Sequence, residues 1–241
     1  MIALVRPAVG PAPAAPALHI PDGFLSLPVA LAMWAATLLA VGIAVRRANR
    51  SLDERAVPLM GVLAAFVFAA QMFNFQVVGG TSGHLLGGVL AGVLLGPWAG
   101  TLVMTAVIAV QALLFQDGGL VAMGANIFNM GVVGTMGGYA FYRFLTLALG
   151  GERRARIPAA AVAAWASVVG GAVLTAVQLG LSETSPLEVA LPAMVGVHVL
   201  IGIGEALITS AALAFIAVTR SDLLELRDAV AGPARAGSTS G

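Results

Sequence analysis

From Pro28 to Val45 the chain runs without one charged side chain. A helix of that length is long enough to cross the hydrocarbon core of a bilayer. Comparable stretches recur to near the end. They lie at about Pro58–Val78, His84–Leu95, Trp98–Phe115, Ala122–Leu149, Ile157–Leu181 and Val189–Val218, which makes seven spans in all. A soluble domain carries about 25% charged residues. Here 10% are charged and 59% hydrophobic, too few polar groups to cover a water-facing surface. The expected fold class is therefore all-α, a polytopic membrane bundle of about seven helices. Thirty glycines suit close helix contacts.

Three regions follow from this pattern. Residues 1–17 carry Pro7, Pro11, Pro13 and Pro16, which forbid a stable helix. They read as a disordered Pro/Ala extension. Ala15-Pro16-Ala17 also has the form of a signal-peptide cleavage site, and the extension is expected to be missing from the mature chain. Residues 18–220 form the membrane domain, and 221–241 a polar tail. The chain has no lysine, so arginine sets the orientation. Arg46, Arg47, Arg50, Arg55, Arg153, Arg154, Arg156, Arg220 and Arg227 fall on one side of the seven spans. By the positive-inside rule that side is cytoplasmic. The C-terminus is then cytoplasmic and the N-terminus outside. The His19 segment, the His84 loop, Asp117 and the loop from Ser182 to Glu188 all share the outer face.

That convergence points to chemistry. Cysteine is absent, so a transition metal has to be held by nitrogen or oxygen. Only three histidines exist. His84 follows the loop Gly79-Gly80-Thr81-Ser82-Gly83; the plain alternative is a histidine bonded at a helix terminus. His19 alone reads as a solvated loop residue. If the chain began at Leu18, however, a free amine, the His19 amide nitrogen and the His19 imidazole could chelate one ion, with His84 completing a square. Planar nitrogen coordination favours nickel(II) or copper(II) and can hold cobalt(II). Pro21-Asp22-Gly23 is turn chemistry that folds such a terminus back toward the bundle. His198 and Glu205 lie seven positions apart in the last span, on one helix face. They read either as a structural polar pair or as support for the site. Asn74, Gln76, Asn126 and Asn129 carry the same two readings: orienting the terminal loop or the His84 ring, or joining helices.

Six motifs resemble the CbiM/NikM type, the substrate-specific membrane components of cobalt and nickel energy-coupling-factor transporters. They are His19-Ile-Pro-Asp-Gly-Phe-Leu25, Gly80-Thr-Ser-Gly-His-Leu-Leu-Gly-Gly88, Leu95-Gly-Pro-Trp98, Gln111-Ala-Leu-Leu-Phe-Gln-Asp-Gly-Gly119, Gly124-Ala-Asn-Ile-Phe-Asn-Met130 and Gly202-Ile-Gly-Glu-Ala206. The resemblance covers residues 18–220. It implies a seven-helix protein of the cell (inner) membrane that captures Co²⁺ or Ni²⁺ outside, as in supply of cobalt for cobalamin. The partners it implies are a transmembrane coupling protein, cytoplasmic ATPases and a small accessory membrane subunit. The ligands it implies map onto Leu18, His19 and His84. Such chains normally begin Met-His, whereas here Leu18 stands at the Met position and seventeen residues precede it. Three origins fit: a start at the Leu18 codon, cleavage after Ala17, or a retained extension that removes the amine.

The rival reading is an enzyme. Gly80-Thr81-Ser82-Gly83 matches the G-x-S-G of rhomboid intramembrane proteases, with Ser82 as nucleophile and His198 as base. It explains neither the His19 segment nor His84. A passive channel lacks a ring of carboxylates. No Walker A motif is present, so the chain is not expected to bind nucleotide.

Overall fold

A computed structural model describes residues 19–52, 56–72, 75–77 and 81–224. Of the expected site residues, Leu18 and Asn74 lie outside these, as do the side chains of Gln76 and Ser82. The fold is helical apart from one small hairpin. Its order is α1 (Leu27–Ser51), α2 (Ala56–Gln71), β1 (Phe75–Val77), β2 (Thr81–Gly83), α3 (Gly88–Leu114), α4 (Met123–Asn126), a π-helical stretch (Ile127–Gly137), α5 (Gly138–Ala148), α6 (Glu152–Leu181) and α7 (Leu187–Thr219). The strands pair antiparallel, with Gln76 opposite Ser82. The hairpin is a local departure inside a fold that is all-helical, as expected. The second span was expected to reach Val78, but helix stops at Gln71 and the chain turns to strand.

Among the described residues four helices are long and apolar enough to cross a membrane: α1, α3, α6 and α7. The third of the seven expected spans needs a further correction. Within α3, Gly96 sits at φ 80°, ψ 168°, a conformation open to glycine and followed by Pro97. A Cβ placed on Gly100 would lie 2.9 Å from backbone atoms of both Ala91 and Gly92. Residues eight apart in a straight helix are separated by about 12 Å. The chain has therefore doubled back at Gly96-Pro97, and only glycine permits the arms to touch. The first arm, 88–95, is about 12 Å long, well short of the ~30 Å hydrocarbon core. It does not span. Its residues from Gly88 to Leu94 are buried within the protein, and 84–87, expected to open this span, are not helical.

The other expectations fall close to the helix bounds. Pro28 lies in the first turn of α1, where its missing N–H costs nothing. One face of α6, from Ala159 and Ala160 through Ala163, Ala164, Ala172 and Ala176, is wholly buried. Small side chains let neighbouring backbones approach closely.

Contacts sort the loops into two ends. Thr184 Oγ1 donates to Phe24 O at 2.6 Å, and Asp22 meets the backbone of 120–122. The segment at 19–26 thus shares one end with loops 115–122 and 182–186. At the other end the Arg47 guanidinium lies 5.8 Å from the Trp98 ring centroid, beside the Gly96-Pro97 turn.

Candidate metal site

The first half of the site is the segment His19-Ile20-Pro21-Asp22, held by an amide that imitates a β-strand neighbour. Asn126 Oδ1 accepts the Ile20 N–H at 2.8 Å, and Asn126 Nδ2 donates back to Ile20 O at 3.1 Å. Gly119 N also donates to Ile20 O at 2.9 Å. Asp22 fastens the far side. Its Oδ2 accepts Leu120 N–H at 2.9 Å, and its Oδ1 accepts Val121 and Ala122 N–H at 2.8 and 3.1 Å. Three donors at the approach to α4 suit a negative charge. Ile20 is buried with Ala122 and Ala125. His19, expected in a solvated loop when taken alone, is buried in the protein at 3% exposure.

The second half is the turn His84-Leu85-Leu86-Gly87 between β2 and α3. Glu205, midway along α7, accepts Leu86 N–H on Oε2 at 2.8 Å and Gly87 N–H on Oε1 at 2.7 Å. Gln71 Nε2 donates to Leu86 O at 2.6 Å, and Gln111 Nε2 to Gln71 Oε1 at 2.8 Å. Gly87 has φ +76°, and a Cβ there would press on Val67.

The halves meet ring to ring. The His19 and His84 imidazoles stack with centroids 4.6 Å apart and planes 23° off parallel. His84 Nδ1 lies 2.8 Å from Leu85 O. A carbonyl only accepts, so that nitrogen carries the proton, and in the neutral ring Nε2 keeps its lone pair. Nε2 of His84 and Nε2 of His19 are buried without a hydrogen bond. A buried polar atom left unpaired costs about 1–3 kcal/mol, so such atoms want a partner. His19 Nδ1 sits 3.2 Å from Asp117 Oδ1. That contact holds the Asp117 carboxyl below its ordinary range, against the opposing effect of burial. Among the described residues no group of three or more His, Cys, Asp or Glu is placed to hold a metal.

The remaining predicted residues go elsewhere. Asn129 exchanges two 2.8 Å hydrogen bonds with Gln178 and reaches Thr175 Oγ1 at 3.2 Å, joining the π-helical stretch to α6. His198 is fully buried, with Nδ1 2.6 Å from Met194 O and Nε2 unpaired. Gln71, Gln111 and Asp117 were not singled out as site residues. The signal for the glutamines was there: an amide inside an apolar helix needs a partner, and these two serve each other.

The architecture defines a helical membrane protein with two imidazole rings buried and stacked between its N-terminal segment and a short helical arm. The family model for the cobalt-uptake substrate-specific transmembrane region, CbiM, matches residues 19–223, and the chain belongs to that family. A putative metal transport protein of Haloquadratum walsbyi is 42% identical, covering 86% of this chain and 93% of its own. A putative fused nickel transport protein NikMN of Archaeoglobus fulgidus is 39% identical over 88% of this chain and 70% of its own. The cobalt transport protein CbiM of Sorangium cellulosum is 33% identical over 86% and 95%. A crystal structure of a transition metal transporter superposes with a TM-score of 0.77 at 34% identity, covering 89% of this chain and all of that one. The protein is thus a membrane component of cobalt/nickel transport, and its relatives are metal transport proteins, not enzymes, which removes the protease reading of Ser82 and His198.

Proposed function

We propose that this protein is the substrate-capturing component of an ATP-driven uptake transporter of the energy-coupling-factor type, taking Co²⁺ or Ni²⁺ from the outer face of the inner membrane. The observation that carries the reading is the stacked pair His19 and His84, brought from two distant motifs into one buried spot with the Nε2 atom of each ring unpartnered. Four nitrogens then serve the transported ion: the amine of Leu18, the amide and imidazole nitrogens of His19, and Nε2 of His84. The chain has no cysteine and, among the described residues, no cluster of three or more His, Asp or Glu placed to hold a metal, so in this reading backbone nitrogen takes the remaining positions. Two nearly parallel rings aim their lone pairs side by side, so taking up the ion turns at least one ring out of the stack.

Seven helical segments fit this role, with α3 counted as two arms, the N-terminal segment outside and the C-terminus cytoplasmic. The end bearing Arg47 is then the inner one. No nucleotide is bound by this chain; a coupling protein and ATPase subunits supply the energy. Relatives named as fused nickel transport proteins support an accessory membrane unit beside this one.

The test is radiolabelled uptake in cells carrying the partner subunits. A chain that starts at residue 18 is expected to accumulate cobalt or nickel, and His84→Ala to abolish it while inserting normally. Unchanged uptake by His84→Ala sinks the site. Equal tight binding by a chain that keeps residues 1–17 shows the amine is not a ligand, because a peptide nitrogen at Leu18 donates far less readily.

A further inference from the structure

We propose that Glu205 is a positioning residue that aims His84 at His19 by clamping the turn from which the imidazole projects. The inference rests on the proposed metal site but concerns a different residue and a different helix. Glu205 is 2% exposed and lies in the middle of α7. An acidic side chain at that depth is costly and seldom incidental. Each of its two oxygens accepts one amide proton, from Leu86 at 2.8 Å and Gly87 at 2.7 Å. Both carboxyl oxygens therefore act as acceptors toward the turn.

The clamp lies two and three residues beyond His84, at the entry to the first arm of α3. There Glu205 serves amide protons that no helical carbonyl can reach. Gln71 takes the carbonyl of the same Leu86 residue from the opposite side, so both polar groups of Leu86 are gripped by side chains. His84 in turn bonds the neighbouring Leu85 carbonyl. The imidazole is therefore oriented through a short chain of contacts that begins on α7. A small cleft lined by Phe66, Val67, Gln71, Leu85, Glu205 and Thr209 lies beside the turn. A loss of clamping should misplace the ring rather than unfold the bundle.

The experiment compares wild type, Glu205→Gln and the control Thr209→Val, which lies one turn along the same face of α7. Two readouts are taken on protein beginning at residue 18 in nanodiscs. One is hydrogen exchange of the peptide containing Leu86 and Gly87. The other is Ni²⁺ affinity, with the visible band of planar nickel. The glutamine keeps size but sets an N–H₂ group against one of the two amide protons. Outer-shell partners typically change metal affinity 10- to 100-fold. Glu205→Gln is expected to exchange faster at 86–87, bind Ni²⁺ about 10- to 100-fold more weakly and shift the band, while Thr209→Val matches wild type. Wild-type affinity, band and exchange in Glu205→Gln overturn the proposal. If wild type binds neither nickel nor cobalt, the transport reading fails by itself and the exchange result alone decides the clamp. Should Glu205→Gln fail to fold, Gln71→Met releases the other grip on Leu86; unchanged nickel binding and exchange there also overturn it.

Discussion

Replacing Asn126 with leucine should unlatch the N-terminal segment while leaving the bundle intact. The side chain is 1% exposed and makes two hydrogen bonds, both to Ile20. Leucine fills similar space and makes neither. The Ile20 carbonyl keeps its bond from Gly119 at 2.9 Å, so its loss is small. The Ile20 N–H keeps nothing, and a buried donor without a partner costs about 1–3 kcal/mol. At about 1.4 kcal/mol per tenfold, the ratio of closed to open segment falls roughly 5- to 150-fold. Asp22 still holds three backbone N–H groups, so the segment stays mostly closed and thermal unfolding of the bundle barely changes. Hydrogen exchange of the peptide spanning residues 19–24 should accelerate by that same factor. Nickel affinity should fall by no more than this, because it scales with the closed fraction. Asn126→Asp should not restore the latch, since a carboxylate oxygen then faces the Ile20 carbonyl. Unchanged exchange at Ile20 in Asn126→Leu refutes the latch.

Two further expectations follow from the same geometry. Gly100→Ala puts a methyl 2.9 Å from the backbone of Ala91 and Gly92; spreading the two arms of α3 should cost about 1–3 kcal/mol, read as a lower unfolding temperature and faster exchange at 86–92. Asp117 contributes through an ionised carboxyl held below its ordinary 3.8 by contact with His19. Its stabilisation is complete above that ordinary value and disappears as pH falls through the lowered one. Protection of the His19 segment should therefore show an acid-side loss below pH 3.8 that Asp117→Asn lacks; an identical acid profile in that variant would exclude the ion pair.

The helical class and the long helices α1, α6 and α7 were readable from hydropathy because these segments are long, continuous and apolar. The turn at Gly96-Pro97 was readable because glycine followed by proline breaks a helix wherever it falls. Hydropathy could not show that 88–95 stops short of crossing, since an arm buried in protein is as apolar as one in lipid. It also could not place His84, whose neighbours come from α2, α7 and the N-terminal segment. The two asparagines show a different limit. Asn126 and Asn129 stand three apart, a spacing that shares one face of an α-helix. The π-helical stretch begins at Ile127 and closes its turns over five residues rather than four. Each step rotates less, so one asparagine faces Ile20 and the other faces Gln178 on α6. Nothing in the local sequence announces that widening.

The short arm of α3 has a consequence for how the protein is made. Eight residues are too few to be taken up as a span on their own, and the non-helical backbone at 84–87 tolerates the membrane only when protein surrounds it. The arm has to enter together with the arm that follows, as a hairpin, once synthesis has passed Leu114. Asn126 comes next, and Glu205 nearly last. His19 leaves the ribosome first yet waits for almost the entire chain before its neighbours exist. A translation product halted before α7 would sit in the membrane with its first helices in place and the Leu86 and Gly87 amides without their Glu205 acceptor.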